Sequence, residues 1–280
     1  MRGPWQQRSS VWQADIASIV LLILFVLAIF GLDAWLQPQF TPTTLVLTGV
    51  IMALVPAAIW LAFFYRRDRL EPEPKALVLQ MVILGGLLAS AVGLPLVNGL
   101  FAVPAWLSSS PAWAQLLGGF LIVGMAQEFL KYAAVRYTVY QSAEFDEAID
   151  GIIYTTAVAI GFAVVLNINF VVSSGGVNLG SGAIRMVLTT LAQASFAGIV
   201  GYFLGRLKFE KRPLWWMPLG LTIAAALNSL FGFLRGNLSQ GSLGTVNNWV
   251  GLALAAVLAG AITWLLSRSI QHDLAVHGGD

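Results

Sequence analysis

The chain has 280 residues, 58% of them apolar and only 10% charged, with a mean hydropathy of +0.80. Soluble domains carry roughly a quarter charged residues, so this composition excludes a water-soluble globule, and the same numbers exclude disorder. Cysteine is absent, which removes disulfides, thiolate-held metals and a cysteine nucleophile, and a scattered net charge of +2 excludes a nucleic-acid partner.

Charge-free stretches run over 16–32, 34–65, 76–127, 151–184, 186–205, 213–234 and 236–267. A bilayer core about 30 Å thick needs roughly 20 apolar residues per helix. The longest stretch is interrupted at Val103-Pro104-Ala105-Trp106-Leu107-Ser108-Ser109-Ser110-Pro111, whose proline and serines predict a loop. The pattern predicts about eight membrane helices, near 15–36, 44–65, 76–102, 112–136, 149–173, 184–205, 213–235 and 246–267. The expected fold is an all-α polytopic membrane protein in a single domain over 1–280, with no repeat and no soluble module. The first helix, apolar from Ile16 to Leu32, has no small-residue cleavage site after it and reads as a retained anchor.

Lysines and arginines set the expected orientation. With eight spans, 13 of the 15 basic residues fall on one side and only Arg185 and Arg235 on the other. The positive-inside rule then places both termini in the cytoplasm. Arg66, Arg67 and Arg69 after helix 2, and Arg206, Lys208, Lys211 and Arg212 after helix 6, are expected to fix topology and to touch lipid headgroups.

Ionisable groups within a span cost about 2.5–3.5 kcal/mol to insert and mark candidate sites. Glu128 lies two-thirds of the way along helix 4, with Lys131 three residues on and therefore on the same face. Asp150 opens helix 5, where a carboxylate suits the helix dipole. The uncharged polar set is Gln80, Asn98, Gln127, Asn167, Asn169, Gln193 and Asn228, concentrated in helices 4 to 7. That concentration predicts a shared polar interior, with Glu128, Lys131, Asp150 and Asn167 as structural members bridging helices. Gly201-Tyr-Phe-Leu-Gly205 predicts close helix packing within the chain.

Three segments resemble the PrsW family of intramembrane proteases, distant relatives of the eight-helix CAAX-type endopeptidases. Tyr65-Arg-Arg-Asp68-Arg69-Leu-Glu71-Pro72-Glu73-Pro74 is similar to that family's aromatic–Asp–Arg–x–Glu–Pro–Glu–Pro signature. Gln127-Glu128-Phe-Leu-Lys131 stands where the family has Glu-Glu-x-x-Lys. Asp150-Gly151-Ile-Ile-Tyr154, Gly161-Phe162-Ala163 and Asn167-Ile168 resemble a third block, and the resemblance covers a core of about 60–235. It implies glutamates and histidines converging in the membrane to hold a metal and activate water, in a bacterial cytoplasmic membrane.

At those positions this chain carries Gln127, Leu166, Gln193 and Asn228, and of the implied set only Glu128 persists. Zinc needs three or four anionic or imidazole ligands, and amide oxygens serve it poorly. The two histidines, His272 and His277, lie in the last nine residues, beyond the last expected helix. The expectation is therefore a catalytically inactive relative with no metal and no cofactor, packing against the bilayer and other integral membrane proteins as an accessory subunit. Two alternatives stand beside it. One is a lipid- or isoprenoid-binding or transport protein using the former substrate cavity between helices 4 and 7. The other is an active protease of altered mechanism, through Ser195 with Lys131 or Glu128 with Asp150.

Overall fold

The computed structural model describes residues 4–36, 41–66, 73–174 and 179–237, with isolated helical positions at 253, 257, 260, 261, 264 and 268. The described residues are mostly helical and contain no strand: α1 (Pro4–Leu36), α2 (Pro42–Tyr65), α3 (Lys75–Leu88), α4 (Val103–Trp106), α5 (Ala112–Gly118), α6 (Met125–Tyr137), α7 (Asp150–Ser173), α8 (Leu179–Phe209) and α9 (Trp216–Asn237). Seven spans among them are long and apolar enough to cross a bilayer: Ala17–Trp35, Pro42–Tyr65, Lys75–Trp106, Ala112–Tyr137, Asp150–Ser173, Leu179–Phe209 and Trp216–Arg235. The protein is an all-α integral membrane protein. The eighth expected helix, 246–267, falls for the most part outside the described residues.

Three local differences from the pattern have physical causes. The third span widens beyond α3 into π-type turns at Ala89–Gly93 and Pro95–Leu100, because Pro95 has no N–H to donate to the ladder. The expected loop at 103–111 contains the helical turn α4. It begins after Ala102, whose φ of 45° reverses the chain, and Trp106 Nε1 donates to Phe101 O at 2.9 Å to close the corner. The α8 helix continues past Arg185 at one end and Arg206 at the other, since a charge at a helix end is tolerated once it reaches the interface.

Helices α7 and α8 form the centre. Along their apolar stretches α8 is 72% buried and α7 61%, against 11% for α1 at the rim. The α7 helix packs on α8, α3 and α2, and α8 also packs on α9. These approaches depend on glycine. A Cβ at Gly161 would fall on the Val82 carbonyl of α3, and one at Gly201 would fall on the Gly151 carbonyl of α7. Backbones at that distance gain dispersion and small-residue packing, which drive helix association where lipid removes the hydrophobic contrast. Thr155 Oγ1 donates to Ala197 O at 2.9 Å across the α7–α8 contact, and Trp60 Nε1 of α2 donates to Val187 O of α8 at 3.2 Å.

Candidate functional site

The span from α5 to α6 passes through a wide π-type segment, Gly119–Gly124, immediately before Gln127 and Glu128. Gly124 lies against the Ala225 backbone of α9, which brings these two side chains to Asn228. Glu128 and Lys131 are fully buried, as their i,i+3 spacing on an interior face requires. Lys131 Nζ donates to Glu128 Oε1 at 2.8 Å and to Gln193 Oε1 of α8 at 2.5 Å. Gln193 Nε2 donates to Gln127 Oε1 at 3.2 Å, and Asn228 Nδ2 donates to Gln127 Oε1 at 3.1 Å and to Glu128 Oε1 at 2.8 Å. The result is a ring across α6, α8 and α9 in which three amides surround one ion pair.

Four of the five positions singled out from the family pattern, Gln127, Glu128, Gln193 and Asn228, therefore meet directly. Leu166 of α7 is beside them on the wall of a cavity of about 430 Å³ that Gln127, Gln193 and Asn228 also line. Asn167 turns to the α8 side and donates to Met186 O at 3.4 Å and Thr190 Oγ1 at 3.3 Å, a bridge between helices. Asp150 is apart from Glu128: its Oδ2 accepts the Glu147 N–H at 2.6 Å at the start of α7. The paired-acid alternative is thereby corrected, since Glu128 is bound to Lys131 and Asp150 belongs to a separate cluster. Ser195 Oγ donates to Leu191 O at 2.7 Å, and Lys131 is committed to Glu128 and Gln193.

That second cluster explains two of the sequence blocks. Glu73 is buried, with Tyr65 Oη donating to its main-chain carbonyl at 2.7 Å and Tyr154 Oη donating to its carboxylate. The acidic–proline signature and the Asp-Gly-Ile-Ile-Tyr segment are thus joined through Glu73 and Tyr154 at the end of the bundle that carries the basic loops. Sequence reasoning quoted Glu73 but did not single it out. A glutamate followed by proline reads as an exposed turn, and only the distant Tyr154 betrays its burial.

The basic residues divide. Arg66 and Lys211 are exposed, while Arg67 and Arg69 lie outside the described residues. Arg206 and Arg212 both pair with Glu210, the former at 2.8 Å. Lys208, half-buried, donates to Phe145 O and lies over the rings of Phe145 and Tyr140, whose faces attract the ammonium. Burial raises the Tyr140 phenol above its ordinary value, with Arg136 over its ring opposing the shift.

Fold and site together define a polytopic helical membrane protein with a polar cavity closed at its floor by a buried hydrogen-bonded ring. Residues 73–265 match the pattern of the PrsW family intramembrane metalloprotease, and the chain belongs to that family. Relatives named "Protease PrsW" share 32% identity over 156 residues in Geobacillus kaustophilus, covering 56% of this chain and 65% of that one. In Bacillus subtilis the figures are 27% over 199 residues, 70% and 83%, and in Halalkalibacterium halodurans 30% over 184 residues, 64% and 79%. No solved structure shows a significant match.

The family description implies a metal, and the residues at this ring do not fit one. Gln127 Oε1, Gln193 Oε1 and Glu128 Oε1 each already accept a donor, which leaves Glu128 Oε2 as the open carboxylate oxygen of the ring and the neutral amide oxygen Asn228 Oδ1 as the other acceptor without a donor. One carboxylate oxygen is short of the three protein ligands that zinc takes. The Lys131 ammonium also sits at 2.8 Å from that carboxylate, in the place where a second cation would be repelled. Among the described residues no group of three His, Cys, Asp or Glu is disposed around a common point.

Proposed function

We propose that this protein is a non-hydrolytic member of the PrsW family that acts as an accessory subunit among other integral membrane proteins. The observation that carries the reading is the ring itself: the side chains converging in the membrane are amides that bond to one another around the Glu128–Lys131 ion pair. Hydrolysis needs a base free to take a proton from water and a group to stabilise the developing oxyanion. Here the one carboxylate is neutralised by an ammonium, and no imidazole lies between residues 1 and 271. The basic-residue bias orients both termini toward the cytoplasm of a bacterial membrane.

The test has two readouts on the full chain. In proteoliposomes holding a single-span membrane substrate, wild type and Glu128→Gln give the same background cleavage. A cleavage that Glu128→Gln abolishes restores the protease reading. Gentle-detergent isolation from native membranes yields a partner membrane protein at fixed stoichiometry, quantified by native mass spectrometry; a chain isolated repeatedly without one removes the accessory role.

A further inference from the structure

The cavity above the ring has a graded chemistry that hydrolysis does not account for. Arg185, Thr189 and Gln193 follow one another at i, i+4 and i+8 on α8 and all face it, as do Asn228 and Arg235 on α9. At 1.5 Å per residue, Arg185 stands about 12 Å above Gln193 and Arg235 about 10 Å above Asn228. Two helices therefore place a guanidinium at a common level near the end of the bundle, above a common amide floor. Arg235 Nη1 donates to Thr189 Oγ1 at 3.1 Å, and Arg185 lies over the Phe170 ring at 3.3 Å.

Among the described residues neither arginine has a carboxylate partner, and the cavity lining contains no acid. Asp33, the one carboxylate at that end of the bundle among the described residues, is not in the lining. Two guanidiniums a few residues from the bilayer core without a counter-charge are expensive. Besides these groups the lining offers apolar side chains, Val97, Phe162, Leu166 and Phe231, together with the uncharged amides Asn98 and Asn169. At the floor the amides bond to one another and to the ion pair, so no charge there is left without a counter-charge.

From these features we propose that the cavity binds a lipid phosphate, an amphiphile whose anionic head is held between Arg185 and Arg235 and whose hydrocarbon chain descends along the apolar wall. Charge at the rim and hydrocarbon below it reproduce the order of a lipid in its own leaflet, whereas a free anion would leave the wall unused. Basic pockets between membrane helices hold phosphate headgroups in this way. The volume of about 430 Å³ suits a head with part of one chain, the rest continuing into the bilayer. The inference requires neither hydrolysis nor its absence, so it stands apart from the accessory reading.

The experiment uses the full chain in nanodiscs of phosphatidylcholine containing a phosphatidylglycerol probe with a photoactivatable chain. Cross-linked peptides map to α7, α8 and α9 around 162–173, 185–193 and 228–235. Labelling falls at least about tenfold in Arg185→Gln/Arg235→Gln, the loss expected when two charge-assisted contacts go, and is unchanged in Arg212→Gln at the opposite end. Should the double variant fail to fold, Gly232→Leu answers the same question. Gly232 lines the cavity with nothing within 4 Å of an added Cβ, so leucine fills the space while both charges stay, and labelling is lost. Equal labelling by a phosphatidylcholine probe overturns the proposal, as does labelling confined to the basic loops. Displacement by inorganic phosphate would assign the site to a free anion. Displacement by a peptide with a free C-terminal carboxylate, but not by its amide, would assign it to a polypeptide end.

Discussion

At the residue scale, the ion pair of Glu128 and Lys131 is the most consequential feature of the interior. Removing one member strands the other charge in the membrane, so Glu128→Gln or Lys131→Met alone is expected to cost about 3–5 kcal/mol. The double variant costs less than the two single losses added together, by a coupling of about 1–3 kcal/mol in a thermal-unfolding cycle in detergent. Additive losses would contradict the pairing. Tyr154→Phe leaves the Glu73 carboxylate short of a donor and is expected to lower stability by about 1–3 kcal/mol, read from the same melts, whereas Tyr137→Phe at an exposed position changes nothing. Much of this was legible in the sequence. The resemblance aligned Gln127, Gln193 and Asn228 as a set, and burial of Glu128 and Lys131 followed from their spacing within an apolar span. Arg185 and Arg235 were legible only as exceptions to a charge bias. That they share a cavity depends on α8 and α9 being neighbours, which neither hydropathy nor spacing encodes.

At the element scale, close backbone approaches hold the centre. Gly161→Leu drives a side chain into the α3 carbonyl of Val82, so it is expected to cost about 3 kcal/mol or more and to reduce the yield of folded protein. Gly232→Ala, on an open face of α9, is expected to stabilise by about 0.5–1 kcal/mol by restricting the unfolded chain. Melting temperatures that failed to separate the two would contradict the packing described for α3 and α7. The existence of seven helices was readable from charge-free lengths, and the Gly201–Gly205 spacing foretold close packing within the chain but not that α7 is the partner. The ends of α8 and the helical turn at Val103–Trp106 were not readable, because hydropathy stops at the first charge or proline while a helix goes on wherever its ladder can be completed.

At the scale of the whole molecule, α7 and α8 form a buried axis around which the other helices turn apolar faces outward, and the two ends differ in chemistry. One end carries the basic loops and the Glu73–Tyr154 cluster; the other opens into the cavity beneath Arg185 and Arg235. Between them lies the ring, formed by residues at the positions where the sequence resemblance implies metal ligands and built from side chains that bond to each other. A ring occupied by its own hydrogen bonds and ion pair is expected to have no metal-binding capacity. The most direct measurement is zinc stoichiometry by elemental mass spectrometry on the purified full chain after zinc loading and buffer exchange, with Glu128→Gln alongside. Far less than one zinc per chain is expected, with no difference between the two proteins. About one zinc per chain in the wild type, lost in Glu128→Gln, would contradict it.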